Sequence, residues 1–263
     1  MASDAWSEKG TADFVTDVDR EAEAAILAHI RDAFPDHAVL AEEEATRNAD
    51  ATMVLPDADW VWIVDPLDGT TNFIHRYPMY AASIAVVHRG ELVAGAVISG
   101  VTGETWWATK GAGAFKDGQR IAVSTIARLP LALIGTGFPF RIADRLDDFL
   151  VQFAAVFRTG AGIRRAGSAA LDLCHVASGW FDGFWELSLA PWDAAAGALI
   201  VREAGGVVTR LDGDPAVLDA GSILAGNPAI HAALGKTLRE ASVATPVGEG
   251  RQRIRHTDES HGE

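Results

Sequence analysis

The sequence has a single cysteine, Cys174, among 263 residues, so no disulfide can form within the chain. The lack of a disulfide framework is typical of a reducing compartment. No stretch approaches the ~18 uninterrupted apolar residues of a membrane-spanning helix, and no basic-then-apolar signal pattern opens the chain. We therefore expect a cytoplasmic protein that does not bind membranes, with Cys174 a small buried hydrophobe in its apolar run.

Basic residues are scarce and form no run. Lysine plus arginine number 22 against 36 aspartate plus glutamate, which gives a formal net charge of −14. Such a surface repels nucleic acid and anionic membranes over most of its area, so we expect no nucleic-acid partner. Hydrophobic residues make up 49% of the chain, enough for a sizeable core in one large domain or two closely joined lobes.

The first half predicts a helix followed by a run of strands. The helix covers Asp19 to Phe34, because apolar residues recur at three- and four-residue steps at Ala22, Ile26, Ile30 and Ala33. Asp17 or Asp19 can cap its start. A short strand at 39–41 delivers Glu42 and Glu43, residues 45–59 form a surface loop, and a buried strand at 60–64 ends at Asp65. Residues 80–123 form a meander with hairpin turns at 88–90, 101–103 and 117–118.

The second half predicts helices at 144–157, from Ser168 to Ser178, at 194–204 and at 231–241, with short strands at 207–209 and 223–225. There is no internal repeat. Because strands and helices mix without strict alternation, a layered α/β or α+β fold is favoured over a barrel. We expect a single domain over 1–241, with an N-terminal metal-binding lobe to about residue 130 and a C-terminal lobe beyond it. The polar segment 242–263 is expected to be a disordered tail.

Acidic residues recur where apolar runs stop. The set comprises Asp19, Glu42, Glu43, Asp65, Asp68 and Asp193. Ends of regular elements can converge in one pocket, and carboxylates brought together there repel one another unless a cation lies between them. Oxygen ligands without histidine or cysteine favour Mg²⁺ over Zn²⁺. The sequence therefore predicts a magnesium site.

The segment from Asp65 to Thr71 is the centre of this prediction. Pro66 fixes a turn, so the two aspartates can face the same ions and the Leu67 carbonyl can point the same way. Gly69 lets backbone approach a ligand closely, and a helix that begins after it presents free N–H groups to an anion such as phosphate. Taken alone, an Asp-x-x-Asp pair more often makes a turn and caps a helix.

The whole pattern resembles the inositol monophosphatase family, from Lys9 to about Glu240. Four blocks in the family's order carry the resemblance: Asp13–Asp19, Glu42-Glu43, Trp62–Phe73, and Trp192–Gly197 followed by Glu203–Gly206. The resemblance implies a layered αβαβα sandwich like that of inositol monophosphatase and fructose-1,6-bisphosphatase. It also implies a homodimer, two or three Mg²⁺ ions, lithium sensitivity and hydrolysis of a phosphate monoester.

Roles for individual residues follow from the same resemblance. The implied metal ligands are Glu42, Asp65, the Leu67 carbonyl, Asp68 and Asp193. Thr70, with Asp19 behind it and assisted by Glu42, orients the attacking water, and Gly69, Thr70 and Thr71 hold the phosphate. Glu43 supports the ligands from behind. The substrate alcohol is contacted by Asp68, Ser168, Ala169, Glu186 and Asp193.

The resemblance favours inositol-1-phosphate as the substrate, through the Asn72-Phe73 form of the central block and through Glu186, whose carboxylate can accept hydrogen bonds from two neighbouring hydroxyls. A surface glutamate with no such role is the alternative for that residue. Histidinol phosphate and fructose-1,6-bisphosphate remain alternative substrates on the same scaffold. A non-catalytic regulatory or binding protein that keeps the fold is the alternative of another class. Such a protein has no reason to keep Glu42, Asp65, Asp68, Thr70 and Asp193 together.

Overall fold

A computed structural model describes residues 6–10, 13–47, 54–139 and 143–243. The elements of the first half are β1 (Trp6–Gly10), β2 (Asp13–Thr16), α1 (Asp17–Ala33), β3 (Ala38–Ala41), α2 (Glu42–Arg47), β4 (Trp60–Asp68), α3 (Thr70–Ile74), β5 (Ala81–His88), β6 (Glu91–Ser99), β7 (Thr105–Thr109), β8 (Gly113–Lys116) and β9 (Gln119–Ile121). Those of the second half are β10 (Leu133–Thr136), α4 (Leu146–Arg158), β11 (Gly162–Arg164), α5 (Ala169–Ala177), β12 (Gly183–Leu189), α6 (Pro191–Glu203), β13 (Val207–Thr209), β14 (Gly221–Gly226) and α7 (Pro228–Val243).

Two large sheets and three helical layers build the fold. A seven-stranded sheet has the order β3-β4-β5-β6-β7-β8-β9, in which only β3 and β4 run parallel. A five-stranded sheet has the order β11-β10-β12-β14-β13. Helices α5 and α6 pack between the sheets, α1 packs outside β4, and α4 and α7 pack together beyond the second sheet. The predicted layered αβαβα architecture is confirmed.

The main core lies between the two sheets. Small residues on α6 let this helix approach the first sheet closely, since a Cβ added to Gly95 would lie 3.0 Å from the Cα of Ala196. Trp106 on β7 and Trp192 in the first turn of α6 belong to this core and are almost wholly buried. This close packing fixes the start of α6, and with it Asp193, against the ends of the sheet strands.

Several predicted elements differ from the structure. The buried face of α1 consists of Asp19, Glu23, Leu27 and Ile30. Of the predicted face, Ile30 is buried and Ile26 packs partly buried against the same cluster, whereas Ala22 is only half-buried and Ala33 is exposed. The physical reason is that Asp19 and Glu23 form hydrogen bonds with buried partners, so the face of α1 that carries these two acids is turned toward the interior. Thr16 is the N-cap, and Asp19 stands three residues into the helix.

Other boundaries also shift. Residues 45–47 belong to α2, not to a loop, and residues 48–53 of the predicted loop lie outside the described residues. Strands β1, β2, β10, β11 and β12 were not predicted. Helix α6 begins at Pro191, and α7 continues to Val243, so Ser242 is helical where a disordered tail was predicted. The rest of that predicted tail lies outside the described residues.

Strands of the two large sheets fall on either side of residue 130, the predicted division into lobes. The single domain over 1–241 stays a prediction.

Candidate active site

The end of β4 presents two aspartates within one irregular turn. The pairing of β4 with β5 shifts register between Asp65 and Asp68, so the strand bulges there. The backbone N–H of Leu67 donates to Oδ1 of Asp65 at 2.9 Å, which holds that carboxylate over the turn. Asp65 is 1% exposed. A buried strand therefore ends in a carboxylate that faces the interior of a cleft.

Asp193 joins these aspartates from the other side of the main core. It lies in the first turn of α6, and its Oδ2 accepts the backbone N–H of Ala190 at 2.7 Å. Carboxylate oxygens of Asp65, Asp68 and Asp193 all lie within 4.8 Å of one another. That spacing is compatible with oxygen ligands around shared cations.

Asp68 is held by the start of α5. The hydroxyl of Ser168 donates to Oδ2 of Asp68 at 2.6 Å, and the backbone N–H of Ala170 donates to the same oxygen at 2.7 Å. Ser168 is also the N-cap of α5, since its hydroxyl accepts the N–H of Leu171 at 3.4 Å. Ser168, predicted to contact substrate, thus also orients a carboxylate of the cluster.

Glu42 completes the acidic wall from the first residue of α2. Its carboxyl group is hydrogen-bonded to Asp65. The pKa of Asp65 is raised well above its usual range by burial first, and then by the negative charges of Glu42, Asp68 and Asp193. Four carboxylates therefore share a space in which they repel one another, and a cation in that space would relieve the repulsion.

Thr70 lies beside the cluster with Asp19 behind it. The Thr70 hydroxyl lies 3.1 Å from Oδ1 of Asp19 and 3.1 Å from the carbonyl of Leu67. Asp19 is 0% exposed, and its Oδ2 accepts the Thr16 backbone N–H at 2.8 Å and also the Thr16 hydroxyl. The Asp19 carboxylate is thus fixed in place, and it can accept the hydrogen bond that the Thr70 hydroxyl donates.

Gly69 sits in a conformation that suits glycine alone. Its φ is +92°, and a Cβ there would lie 2.8 Å from the carbonyl oxygen of Met79. Helix α3 begins directly after it, so the N–H groups of Thr70 and Thr71 belong to the first turn of that helix. Both residues line the cleft with Gly69. The predicted phosphate-binding residues are therefore contiguous and face the acidic cluster's cleft.

The far end of the cleft contains Glu186, together with Arg165 and Asp172, two residues that the sequence analysis did not single out. Glu186 lies on β12, and a Cβ added to Gly137 would come within 2.1 Å of its carboxyl group. Burial, followed by the charges of Asp193, Asp172 and Asp68, raises the pKa of Glu186 well above its usual range. Arg165, whose guanidinium lies 5.0 Å from the centre of the Phe138 ring, opposes that shift.

Asp172 was also missed. It lies on α5 one turn after Ser168, is 2% exposed and lines the same cleft. Burial and then Asp68 raise its pKa well above the usual value. The signal in the sequence was a charged residue inside the apolar run Ala169–Cys174.

One cleft of about 290 Å³ collects nearly all the predicted residues. Its lining includes Glu42, Asp65, Leu67, Asp68, Gly69, Thr70, Thr71, Ser168, Ala169, Glu186 and Asp193. Asp19 stands behind Thr70, and Glu43 is buried with its N–H bonded to Glu23. The lining contains acidic, hydroxyl and carbonyl oxygens but no histidine or cysteine within the described residues. This donor set fits a hard divalent cation such as Mg²⁺.

The sequence matches the model of the inositol monophosphatase family over residues 2–243. The chain belongs to the inositol monophosphatase family. A protein of Pseudomonas aeruginosa named Nus factor SuhB is 46% identical over 235 residues, which cover 89% of this chain and 85% of that protein. An inositol-1-monophosphatase of Mesorhizobium japonicum is 42% identical over 234 residues, with 89% and 86% covered.

A solved structure extends the same likeness to three dimensions. The extragenic suppressor protein suhB of Bartonella henselae superposes with a TM-score of 0.82 at 40% identity, covering 89% of this chain and 88% of that chain. Family membership therefore rests on sequence and fold together. Within the part of the chain that the structure describes, no helix combines the length and apolar character that crossing a bilayer requires.

Proposed function

We propose that this chain is a phosphoric monoester hydrolase that uses Mg²⁺ to release phosphate from a small sugar or polyol, with inositol-1-phosphate as its first substrate. The observation that carries the proposal is the convergence of Asp65, Asp68 and Asp193 within 4.8 Å, beside the Thr70–Asp19 pair. Membership of the inositol monophosphatase family supports it.

Glu42, Asp65, Asp68 and Asp193, with the Leu67 carbonyl, would hold two or three Mg²⁺ ions. When bound, such ions neutralise charge on the phosphate oxygens and make water more acidic. The repulsion among these carboxylates favours binding of a cation, since burial and then the charges of Glu42, Asp68 and Asp193 raise the pKa of Asp65. Glu43 would support this set from the buried side of α2.

Thr70 and Asp19 would orient the attacking water. The Thr70 hydroxyl can accept a proton from water while it donates its own hydrogen to Oδ1 of Asp19. Two bonds from Thr16 fix the Asp19 carboxylate, so the acceptor that it offers to the Thr70 hydroxyl does not move. Glu42, at the other side of the cluster, would assist. Positioning of this kind contributes through orientation, with no covalent intermediate on the chain.

The phosphate group would be held by the backbone N–H groups of Gly69, Thr70 and Thr71. Glu186 would accept hydrogen bonds from two neighbouring hydroxyls of the alcohol, and Ala169 and Ser168 would border it together with Asp68 and Asp193. A polyol with vicinal hydroxyls fits this acidic end of the cleft better than an anionic alcohol does. That preference places inositol-1-phosphate ahead of fructose-1,6-bisphosphate.

An assay panel tests the substrate. Phosphate release would be measured with Mg²⁺ for inositol-1-phosphate, fructose-1,6-bisphosphate, histidinol phosphate and adenosine 3′,5′-bisphosphate. We expect the highest kcat/KM for inositol-1-phosphate, and no turnover once chelator removes Mg²⁺. A clear preference for another compound would overturn the inositol assignment and leave the metal-dependent hydrolysis intact.

A second candidate function comes from the name of a relative. The Pseudomonas aeruginosa protein is named as a Nus factor, and this chain would share that role by similarity. Complementation separates the two functions: the wild-type chain and Asp65→Asn would be expressed in Pseudomonas aeruginosa lacking its own SuhB. Rescue by both proteins would assign the phenotype to a role that does not require catalysis, whereas rescue by the wild type alone would tie it to the acidic cluster.

We further propose a homodimer, a cytoplasmic location and inhibition by lithium, all on the strength of the family. Light scattering of the purified chain would give twice the mass of 27.8 kDa for a dimer. Cell fractionation tests the location, and Li⁺ titration of the hydrolysis assay tests the inhibition. A monomer, a membrane-bound fraction or lithium-resistant turnover would each contradict one of these statements.

A further inference from the structure

Helix α1 buries two acidic side chains on one face. Asp19 and Glu23 lie one turn apart, at 0% and 2% exposure, on a helix whose other acids are exposed or partly exposed. Residues four positions apart on a helix point the same way. Asp19 holds Thr70, as described above, but the proposed function assigns no role to Glu23.

Both carboxylate oxygens of Glu23 bind α2. Oε2 accepts the backbone N–H of Glu43 at 2.8 Å, and Oε1 accepts from the guanidinium of Arg47 at 3.1 Å. Arg47 in turn donates through Nε to the carbonyl of Glu43 at 2.9 Å. The three groups form a closed ring that includes the backbone N–H and the carbonyl of Glu43.

This ring fixes the residue that directly follows Glu42. Helix α2 has six residues, and a helix of one or two turns is not stable by itself. Its first N–H groups have no acceptor within the helix, and Glu23 supplies one from 20 positions earlier in the chain. The backbone of Glu42, and so the direction in which its carboxylate enters the cleft, depends on that bond.

Burial of Glu23 has a free-energy cost that packing alone does not require. Burial raises its pKa in spite of the N–H groups of Glu43 and Glu44 and the charge of Arg47, which lower it. The Arg47 side chain is 63% exposed, so only the carboxylate of this ion pair is buried, and a buried carboxylate is costly even when it is paired and hydrogen-bonded. A hydrophobic residue at position 23 would extend the stripe formed by Leu27 and Ile30. A carboxylate at position 23 is therefore better explained by its bonds to α2, which position that helix, than by packing.

We propose that Glu23 is a positioning residue that fixes Glu42 in the acidic cluster. Helix α1 then sets the distance between Thr70 and Glu42 across the cleft, because its Asp19 holds Thr70 and its Glu23 holds the start of α2. This inference rests on the proposed function, since it concerns the cation that Glu42 would help to hold. It assigns Glu23 no contact with substrate.

Calorimetric titration of Mg²⁺ into the full chain without substrate is the test. Glu23→Gln keeps the size of the side chain but cannot accept from both Glu43 and Arg47. We expect Mg²⁺ affinity to fall by ~10-fold or more, the usual range when a group supporting a metal ligand is lost. Glu21→Gln, an exposed residue on the same helix, is the matched control and should bind Mg²⁺ as the wild type does.

Thermal unfolding of the same variants distinguishes a change in the position of Glu42 from a general loss of stability. A lower melting temperature with unchanged Mg²⁺ affinity in Glu23→Gln would mean a purely structural role and would overturn the proposal. If that variant does not fold, Arg47→Met removes two bonds of the ring and should weaken Mg²⁺ binding by a smaller factor; unchanged affinity there would equally overturn it. A wild-type chain that neither binds Mg²⁺ nor hydrolyses any ester would instead refute the proposed function, and the inference with it.

Discussion

The hydroxyl of Thr70 lies 3.1 Å from Oδ1 of Asp19, although 51 positions of sequence separate the two residues. The second oxygen of Asp19 is already bonded to the Thr16 backbone and hydroxyl. Since the carboxylate cannot turn without losing those bonds, it offers a fixed acceptor for the hydroxyl hydrogen of Thr70, and the lone pairs of the Thr70 oxygen are then left for a water in the cleft. Under the proposed function, the pair acts as a unit whose members lose their effect together.

Replacing Thr70 by valine should lower kcat by about 100-fold or more and leave KM nearly unchanged, because a positioned proton acceptor is typically worth ~10²–10⁴ in rate. Asp19→Asn should have a similar effect. The double variant should be little worse than either single one, since residues that act together are not additive. Steady-state kinetics on inositol-1-phosphate measures this. Thr237→Val, on α7, is the control; multiplicative losses in the double variant would contradict the paired role.

Asp65→Asn should abolish Mg²⁺-dependent hydrolysis and yet stabilise the metal-free protein at about pH 8. The carboxylate at this position is buried among Glu42, Asp68 and Asp193, all of which raise its pKa. Removing its charge therefore relieves repulsion that is present without metal. Thermal unfolding with and without Mg²⁺ measures both effects. Asp147→Asn, at an exposed position on α4, should alter neither, and a metal-free Asp65→Asn that melts below the wild type would refute this account.

The free energy of unfolding of the metal-free protein should fall between about pH 5 and about pH 8, because three buried carboxyl groups titrate differently in the folded and unfolded chains. The pKa values of Asp65, Asp172 and Glu186 are raised in the folded chain, mainly by burial. Above the unfolded pKa the unfolded chain gives up these protons while the folded chain retains them, so the free energy of unfolding falls as pH rises. Denaturant titrations at both pH values, with chelator, measure the slope. Saturating Mg²⁺ should reduce it, and a slope unaffected by Mg²⁺ would contradict the prediction.

Gly137→Ala should weaken binding of the inositol hydroxyls by Glu186 and leave the proposed metal ligands in place. The added methyl group would come within 2.1 Å of the Glu186 carboxyl group and must displace it. We expect KM for inositol-1-phosphate to rise by about 10-fold, the loss of roughly 1.4 kcal/mol of hydrogen bonding to hydroxyls. KM for p-nitrophenyl phosphate, which has no such hydroxyls, should stay constant. Gly162→Ala, whose methyl meets the end of the Leu133 side chain at 3.2 Å, is the control.

The sequence predicts local features of the site well because the chemistry is contiguous there. Residues Asp65 to Thr71 cover the irregular end of β4, Gly69 and the start of α3. The apolar strand and the motif that follows it can both be recognised without tertiary contacts. The distance from this turn to Asp193 could not be predicted from spacing, because it depends on how closely α6 packs on the first sheet. The resemblance to a family supplied that grouping in advance.

Strand β12 and the role of Glu23 were missed for physical reasons. Strand β12 is buried on both faces from Gly183 to Leu187, so its sequence lacks the alternation that identifies a strand. Glu23 was overlooked although it lies on the same helical face as Leu27 and Ile30, where a charge is unusual. An acid on an apolar stripe is a sequence signal for a buried partner, but the identity of that partner, the start of α2, depends on the tertiary fold.

The placement of Asp193 on α6 also bears on how the protein folds. Glu42, Asp65 and Asp68 belong to the first sheet and its flanking helix, whereas Asp193 arrives with a helix that follows the second sheet's strands β10 to β12. A folding intermediate with only the first sheet formed would carry an incomplete set of carboxylates and bind a cation weakly. A cation that binds the complete cluster would therefore slow unfolding far more than it speeds the early steps of folding.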